Sequence, residues 1–197
     1  MQDRFVRQAV ELARQARLAG NHPFGSLLVL DGAVVLTATN TVNTDRDPTA
    51  HAETNLGGAA IRCLDREQLG RATLYTSCEP CAMCAGKMYW AGIRSIVYGL
   101  PSEELAALAG RDFLVPCREL FARAVDTVQV VGPVLVSEAR EVHRDFWPSG
   151  AASERIASIG LFNVVITMSA DCPGDVPFGE RATGTITTTR QATWRCK

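Results

Sequence analysis

The chain lacks a dominant charge. Its 20 basic and 21 acidic side chains leave a formal net charge of −1 over 197 residues, so no global field attracts polyanions, and nucleic-acid contact would need a local basic patch. No such patch is obvious. Long apolar runs are also scarce. The richest, Ile159 to Met168, is interrupted by Asn163 and has about half the length of a membrane-spanning helix. The opening MQDRFVRQAVELARQ mixes charged and apolar residues where a secretory signal would be continuously apolar. A soluble, cytoplasmic protein with no membrane partner is expected. A disulfide framework is excluded on different grounds: the seven cysteines are an odd number, and Cys78, Cys81 and Cys84 crowd together, which suits metal binding or redox chemistry. Histidine is scarcer still, with three in the chain. One of them, His51, opens the stretch HAETN.

What is present suits a folded α/β domain. Apolar residues make up 47% and charged residues 21%, the balance of an ordinary globular protein, and the length allows one well-buried core. Phe5, Val6, Val10, Leu12, Ala13, Ala16 and Leu18 recur near helical spacing, predicting an amphipathic helix over residues 2 to 19 that Gly20 ends. Ser26 to Leu30 and Ala33 to Asn40 are β-prone and flank Asp31-Gly32, a pair suited to a two-residue hairpin turn. TVNTDRDPT reads as a loop. A helix is predicted over residues 51 to 64, where Gly57-Gly58 either weakens it or permits close packing. Further strands are predicted at 72 to 76, 94 to 99 and 127 to 131. Helices are predicted at 81 to 91, 102 to 109, 117 to 124 and 137 to 146, the last capped by Ser137. Strands alternating with helices after a hairpin imply a layered α/β domain whose mixed sheet has parallel later strands. Residues 149 to 197 are rich in Gly, Ala, Ser and Thr and read as a C-terminal appendage, flexible or poorly specified, with 156 to 168 as a candidate strand.

The chemistry gathers in two places. Catalytic zinc takes three protein ligands and leaves a position open for water, and His51, Cys81 and Cys84 supply such a set. Cys-x-x-Cys at a helix start sets both sulfurs by its first turn, where backbone N–H groups favour thiolates; Pro80 suits that helix start. Glu53 lies about 200° round a helix from His51, a poor position for chelating the same ion. It suits a proton carrier, taking a proton from an activated water and delivering it to a ring nitrogen and then to a departing amine. Cys78-x-x-Cys81 repeats the spacing, so a closed structural site of His51 and three cysteines stays open as the alternative.

His51-Ala52-Glu53 with Pro80-Cys81-Ala82-Met83-Cys84 resembles the zinc-binding signature of the cytidine deaminase-like superfamily. The resemblance covers roughly residues 1 to 147 and implies a three-layer α/β/α fold on a mixed five-stranded sheet, with 1 to 148 as the zinc-dependent deaminase domain. PFGSLLVLDG, NTVNTDRDPTAHAE and LYTSCEPCAMCAGKMYWAGI look similar to bacterial guanine deaminases and their nucleoside-deaminase relatives. By that resemblance His51, Cys81 and Cys84 bind Zn2+, and Glu53 shuttles protons. Asn40 hydrogen-bonds the substrate, Phe24, Gly25 and Ala52 line its pocket, and Cys78 is not a ligand. Asp112 is the one candidate for the acidic stretch that guanine deaminases carry in this region. The implied substrate is a small aminated base or nucleoside, a guanine-type purine, and the implied assembly is a homodimer.

tRNA adenosine deaminases share the zinc motifs and are the alternative. They usually carry leucine at the place of Cys78 and a basic segment where this chain has the acidic GLPSEELAAL, which points away from RNA. A non-catalytic scaffold with structural zinc is the third reading. Smaller expectations attach to other residues. Tyr89 and Trp90 are candidates for stacking on a base, though a core role is the commoner fate. His22 sits either at the pocket mouth or on the surface, His143 is expected in solvent, and Arg94 is a capping charge. Cys63, Cys117, Cys172 and Cys196 lack ligand spacing.

Overall fold

The computed structural model describes residues 2 to 110 and 114 to 147. Asp112, the 149 to 197 appendage, its candidate strand, Cys172 and Cys196 lie outside the described residues. Helix α1 (Gln2–Leu18) buries Phe5, Val6, Ala9, Val10, Ala13 and Ala16, the stripe that its spacing predicts. Leu18 falls off that stripe and is exposed. Gly20 then takes a positive φ of 81°, and the chain leaves the helix. Strands β1 (Gly25–Leu30) and β2 (Ala33–Thr39) form the expected hairpin. Asp31 and Gly32 have φ of 51° and 81°, the two positive values that such a turn requires.

The order continues α2 (Val42–Asp45), α3 (Ala52–Cys63), α4 (Arg66–Arg71), β3 (Thr73–Cys78), α5 (Ala82–Trp90), β4 (Ser95–Leu100), α6 (Ser102–Ala109), α7 (Cys117–Phe121), β5 (Gln129–Val131) and α8 (Val136–Glu141). One five-stranded mixed sheet runs β2-β1-β3-β4-β5. Strand β1 is antiparallel to both neighbours, and β3, β4 and β5 are parallel, as right-handed crossovers require. Alternation divides the strand residues between two cores. Leu27, Val29, Tyr75 and Val97 pack with α1 and α8 on one face. Leu28, Leu74, Ile96 and Tyr98 pack with α3, α4, α5 and α7 on the other. This is the expected three-layer arrangement.

Gly57 resolves the question that its sequence left open. A Cβ there would come 2.5 Å from the Met88 methyl, so the glycine serves close packing of α3 on α5, the two helices that begin at the cysteine and histidine motifs. Gly25 is tighter: its Cβ would lie 2.5 Å from backbone atoms of Ala9 and Ala13. Only glycine lets α1 seat this close to β1.

Several elements differ from expectation. Residues 42 to 45 form a short helix inside the expected loop. Helix α4 was not expected, although Asp65 and Gln68 form a complete capping box, a signal written in the sequence. The last helix is shorter than 137 to 146 and starts at Val136, after Leu135 in the left-handed region, so Ser137 is not its cap. Beyond Glu141 the chain turns, with i to i−3 backbone bonds at His143, Arg144 and Phe146. Arg17 donates to the carbonyls of Val142 and Arg144. His143, expected in solvent, is 2% exposed. It lies against Phe24 and Trp147, with ring centroids 5.3 and 6.0 Å away. Aromatic packing overrides the helical pattern here. Among the described residues no helix is long and apolar enough to cross a membrane.

Candidate active site

Two helix starts build the centre. His51 and Cys81 occupy the N-cap positions of α3 and α5 with extended backbone, and neither side chain caps its own helix. Cys84 follows one turn into α5 and is fully buried. His51 Nδ1 lies 3.7 Å from Cys81 Sγ and 3.5 Å from Cys84 Sγ, and the sulfurs are 3.6 Å apart. Tetrahedral zinc, with Zn–S near 2.3 Å and Zn–N near 2.0 to 2.1 Å, separates two sulfurs by about 3.8 Å and a sulfur from a nitrogen by about 3.6 Å. The triangle thus has the dimensions of a zinc site before any ion is considered. Among the described residues these three groups form the cluster that could hold a metal. Cys78 is buried nearby but stands outside the triangle, which leaves a three-ligand set.

The charges suit a dication. Cys81 is lowered to about 4, chiefly by its hydrogen bond with Cys84, against the opposing effect of burial. The same bond, with burial, pushes the Cys84 thiol far up. Without metal the pair shares one proton; a dication between the sulfurs favours losing it.

Glu53, in the first turn of α3, is 4% exposed. Burial raises its carboxyl above the usual range, and the Thr76 hydroxyl, donating to Oε1 at 2.7 Å, works in the opposite direction. It shares a cavity of about 30 Å³ with Phe24, His51, Cys78, Glu79, Cys81 and Leu105. That volume admits water. A larger, open hollow of about 400 Å³ between α7 and β5 is lined by residues such as Arg118, Phe121 and Val130. It contains neither Glu53 nor any of the clustered His51, Cys81 and Cys84, so chemistry selects the smaller cavity.

The other expected site residues are distributed unevenly. Asn40 is fully buried. Its Oδ1 accepts from the Val42 N–H at 3.1 Å, Nδ2 has no partner among the described residues, and Asn40 is not among the residues that line the cavity. Phe24 is in the cavity wall. Ala52 is buried at the first turn of α3. Gly25 faces α1 and does not line the cavity. Tyr89 and Trp90 also stay away from it: Tyr89 receives the Asp126 N–H and carries Arg94 over its ring, and Trp90 is 86% exposed. Arg94 caps the end of α5 by donating to the Tyr89 carbonyl at 2.6 Å.

Two groups near the site, Thr76 and Glu79, escaped the sequence reading, and so did the packing of His143 and Trp147 around Phe24 and His22. Thr76 contacts Glu53 directly. Glu79 accepts from the Ser102 N–H and hydroxyl and from the Cys117 N–H, joining the metal loop to the starts of α6 and α7. The aromatic cluster of His22, Phe24, His143 and Trp147 backs the ligand histidine, with Phe24 stacked on His51 at 6.5 Å. Glu79 alone had a visible signal, as the acid inside CEPC.

Comparison with known proteins agrees with this geometry. Residues 1–100 match the family described as the cytidine and deoxycytidylate deaminase zinc-binding region. The chain belongs to this deaminase family. Its members are hydrolases of carbon–nitrogen bonds, and the metal of this deaminase is zinc. A probable cytosine deaminase of Schizosaccharomyces pombe is 39% identical over 152 residues, 74% of this deaminase and 92% of the relative. A guanine deaminase of Bacillus subtilis is 44% identical over 109 residues, 55% of this deaminase and 69% of the relative. A solved structure from work on A-to-I editing by tRNA:A34 deaminases is 30% identical, with a TM-score of 0.59, covering 71% of this deaminase and 98% of that chain.

Proposed function

We propose that this deaminase hydrolyses the amine of a small free base or nucleoside, a guanine-type purine, and releases ammonia. One observation carries the reading: His51 and Cys81 of a zinc-sized triangle with Cys84 share a water-sized cavity with a buried carboxylate that is not part of the triangle. Zinc, when bound, supplies a Lewis acid at the cavity wall. Glu53 does the proton work. It accepts a proton from the water that attacks the amine-bearing ring carbon and passes it to the adjacent ring nitrogen. It then moves the water's second proton to the amine, so that ammonia leaves and a carbonyl remains. Asn40 Nδ2 donates to an acceptor on the substrate, and Phe24 bounds the ring. Tighter binding of the tetrahedral state than of substrate supplies the rate.

The purine assignment is supported by the 44% identity to a guanine deaminase over 109 residues. Cytosine is the second reading, favoured by the longer overlap with the S. pombe relative. A tRNA substrate is disfavoured by the acidic first turn of α6, the helix that sends Leu105 to the cavity: Glu104 there is paired with Arg140, but Glu103 adds negative charge where a phosphate backbone needs a basic segment. A scaffold with structural zinc leaves the buried Glu53 as a cost without a return.

The reading extends to a catalytic unit of residues 1 to 148 acting in the cytosol. It includes pairing of two copies through α3 and α5, where Ile61, Met83 and Trp90 are exposed. Ammonia release by the zinc-loaded protein from guanine, cytosine, their nucleosides and a tRNA anticodon stem-loop tests it. Turnover of guanine or its nucleoside is expected. Turnover limited to cytosine overturns the purine assignment, and turnover limited to the stem-loop overturns the free-substrate reading.

A further inference from the structure

Strand register pairs Ser26 of β1 with Thr76 of β3, and both are fully buried. Their neighbours two residues along are Leu28 and Leu74, which belong to the apolar core beneath α3 and α5. Two hydroxyls in such a layer are unfavourable unless they are hydrogen-bonded. Their bonds run in one direction. Ser26 Oγ donates to Thr76 Oγ1 at 3.1 Å, and Thr76 Oγ1 donates to Glu53 Oε1 at 2.7 Å. Thr76 has a single hydroxyl proton, and the alternative acceptor, the Gly25 carbonyl, is 3.4 Å away. The carboxylate takes the proton.

We propose that Thr76, oriented by Ser26, is a positioning residue for the deamination: it holds Oε1 of Glu53 so that Oε2 alone exchanges protons with water and substrate. The proposal rests on the reading of Glu53 as proton carrier. A glutamate side chain that must serve water, ring nitrogen and amine in turn has several torsions to restrain, and a misplacement of about 1 Å at a reacting group is enough to slow turnover severely. The sheet supplies the restraint. The helix alone does not, because α3 fixes only the backbone of Glu53. Cross-strand Ser–Thr bonding as a purely structural device would be complete without the third member, and the 2.7 Å bond reaches out of the sheet to the carboxylate.

The test compares Thr76→Val, Thr76→Ala, Thr76→Ser and Glu53→Gln, each zinc-loaded, on whichever base or nucleoside the wild type deaminates. Val keeps the β-branched shape, and Ala removes the hydroxyl without placing a methyl against Oε1, so one of them reports if the other folds poorly. Loss of the hydroxyl is expected to lower kcat roughly tenfold to a hundredfold, with KM and zinc content little changed and the melting temperature lowered by a few degrees, because the buried Ser26 hydroxyl loses its acceptor. Thr76→Ser, which restores the donor, should recover kcat to within about threefold of wild type. The proposal is overturned if kcat survives in Val and Ala, if the loss lies in KM alone, or if Ser is as impaired as Val. An inactive Glu53→Gln beside a fully active Thr76→Val removes the role of Thr76 and leaves the proton carrier standing. An active Glu53→Gln removes the proton carrier itself, and Thr76's role with it.

Discussion

Replacing Glu53 by glutamine separates chemistry from architecture. Gln has nearly the same shape, fits a position that is 4% exposed, and keeps an oxygen for the Thr76 hydroxyl at 2.7 Å. Zinc binding should survive, because the carboxylate lies outside the ligand triangle. What disappears is the proton carrier. General acid–base catalysis contributes about 10² to 10⁴ per role, and in the proposed mechanism one carboxylate serves first as base and then as acid. A fall in kcat of at least ~10³, about 4 kcal/mol on the barrier, is expected. Stability moves the other way. Burial raises the Glu53 carboxyl above its unfolded value, so its contribution in the metal-free protein is present below the unfolded pKa and is lost as pH rises through the folded one. Metal-free Glu53→Gln should therefore melt no lower than wild type at pH 8, and its relative advantage should shrink towards pH 4. Coupled ammonia detection, metal analysis and thermal melts read the three quantities. A variant that retains zinc and more than about a tenth of wild-type kcat refutes the assigned role.

Three further outcomes follow. Chelation should abolish ammonia release, and zinc should restore it. Because Cys81 is already ionised near neutrality while Cys84 is not, reloading should release about one proton from the cysteine pair per ion, measured by calorimetry in buffers of different ionisation enthalpy; a proton-neutral uptake contradicts the shared-proton pair. Gly25→Ala should destabilise by about 1 to 3 kcal/mol, since its Cβ would meet the Ala9 and Ala13 backbone at 2.5 Å; an unchanged denaturation midpoint rules out the tight seat of α1.

The local grammar of the chain was legible without coordinates. Asp31-Gly32 specified the hairpin turn, the stripe from Phe5 to Ala16 specified the buried face of α1, and α6 occupies Ser102–Ala109 as its pattern predicts. The ligands were legible for a similar reason. A metal needs particular atoms, and His51, Cys81 and Cys84 announce them by residue type and by their place at helix starts. Elements that depend on distant packing were misread. The helix expected to 146 ends at Glu141 because His143, Phe146 and Trp147 turn into the aromatic cluster around Phe24, and no periodicity within that segment encodes a partner more than a hundred residues away. Cys78 was set aside by resemblance, and the cluster the fold assembles consists of His51, Cys81 and Cys84.

Residue type and short-range spacing determined which atoms could bind zinc and which carboxylate could move a proton, because coordination chemistry and helix geometry act over a few residues. Tertiary structure alone decided what holds that carboxylate in place. Thr76 is 23 residues from Glu53 and Ser26 is 50 from Thr76, and only the register of β1 against β3 beneath α3 brings the three oxygens into one line.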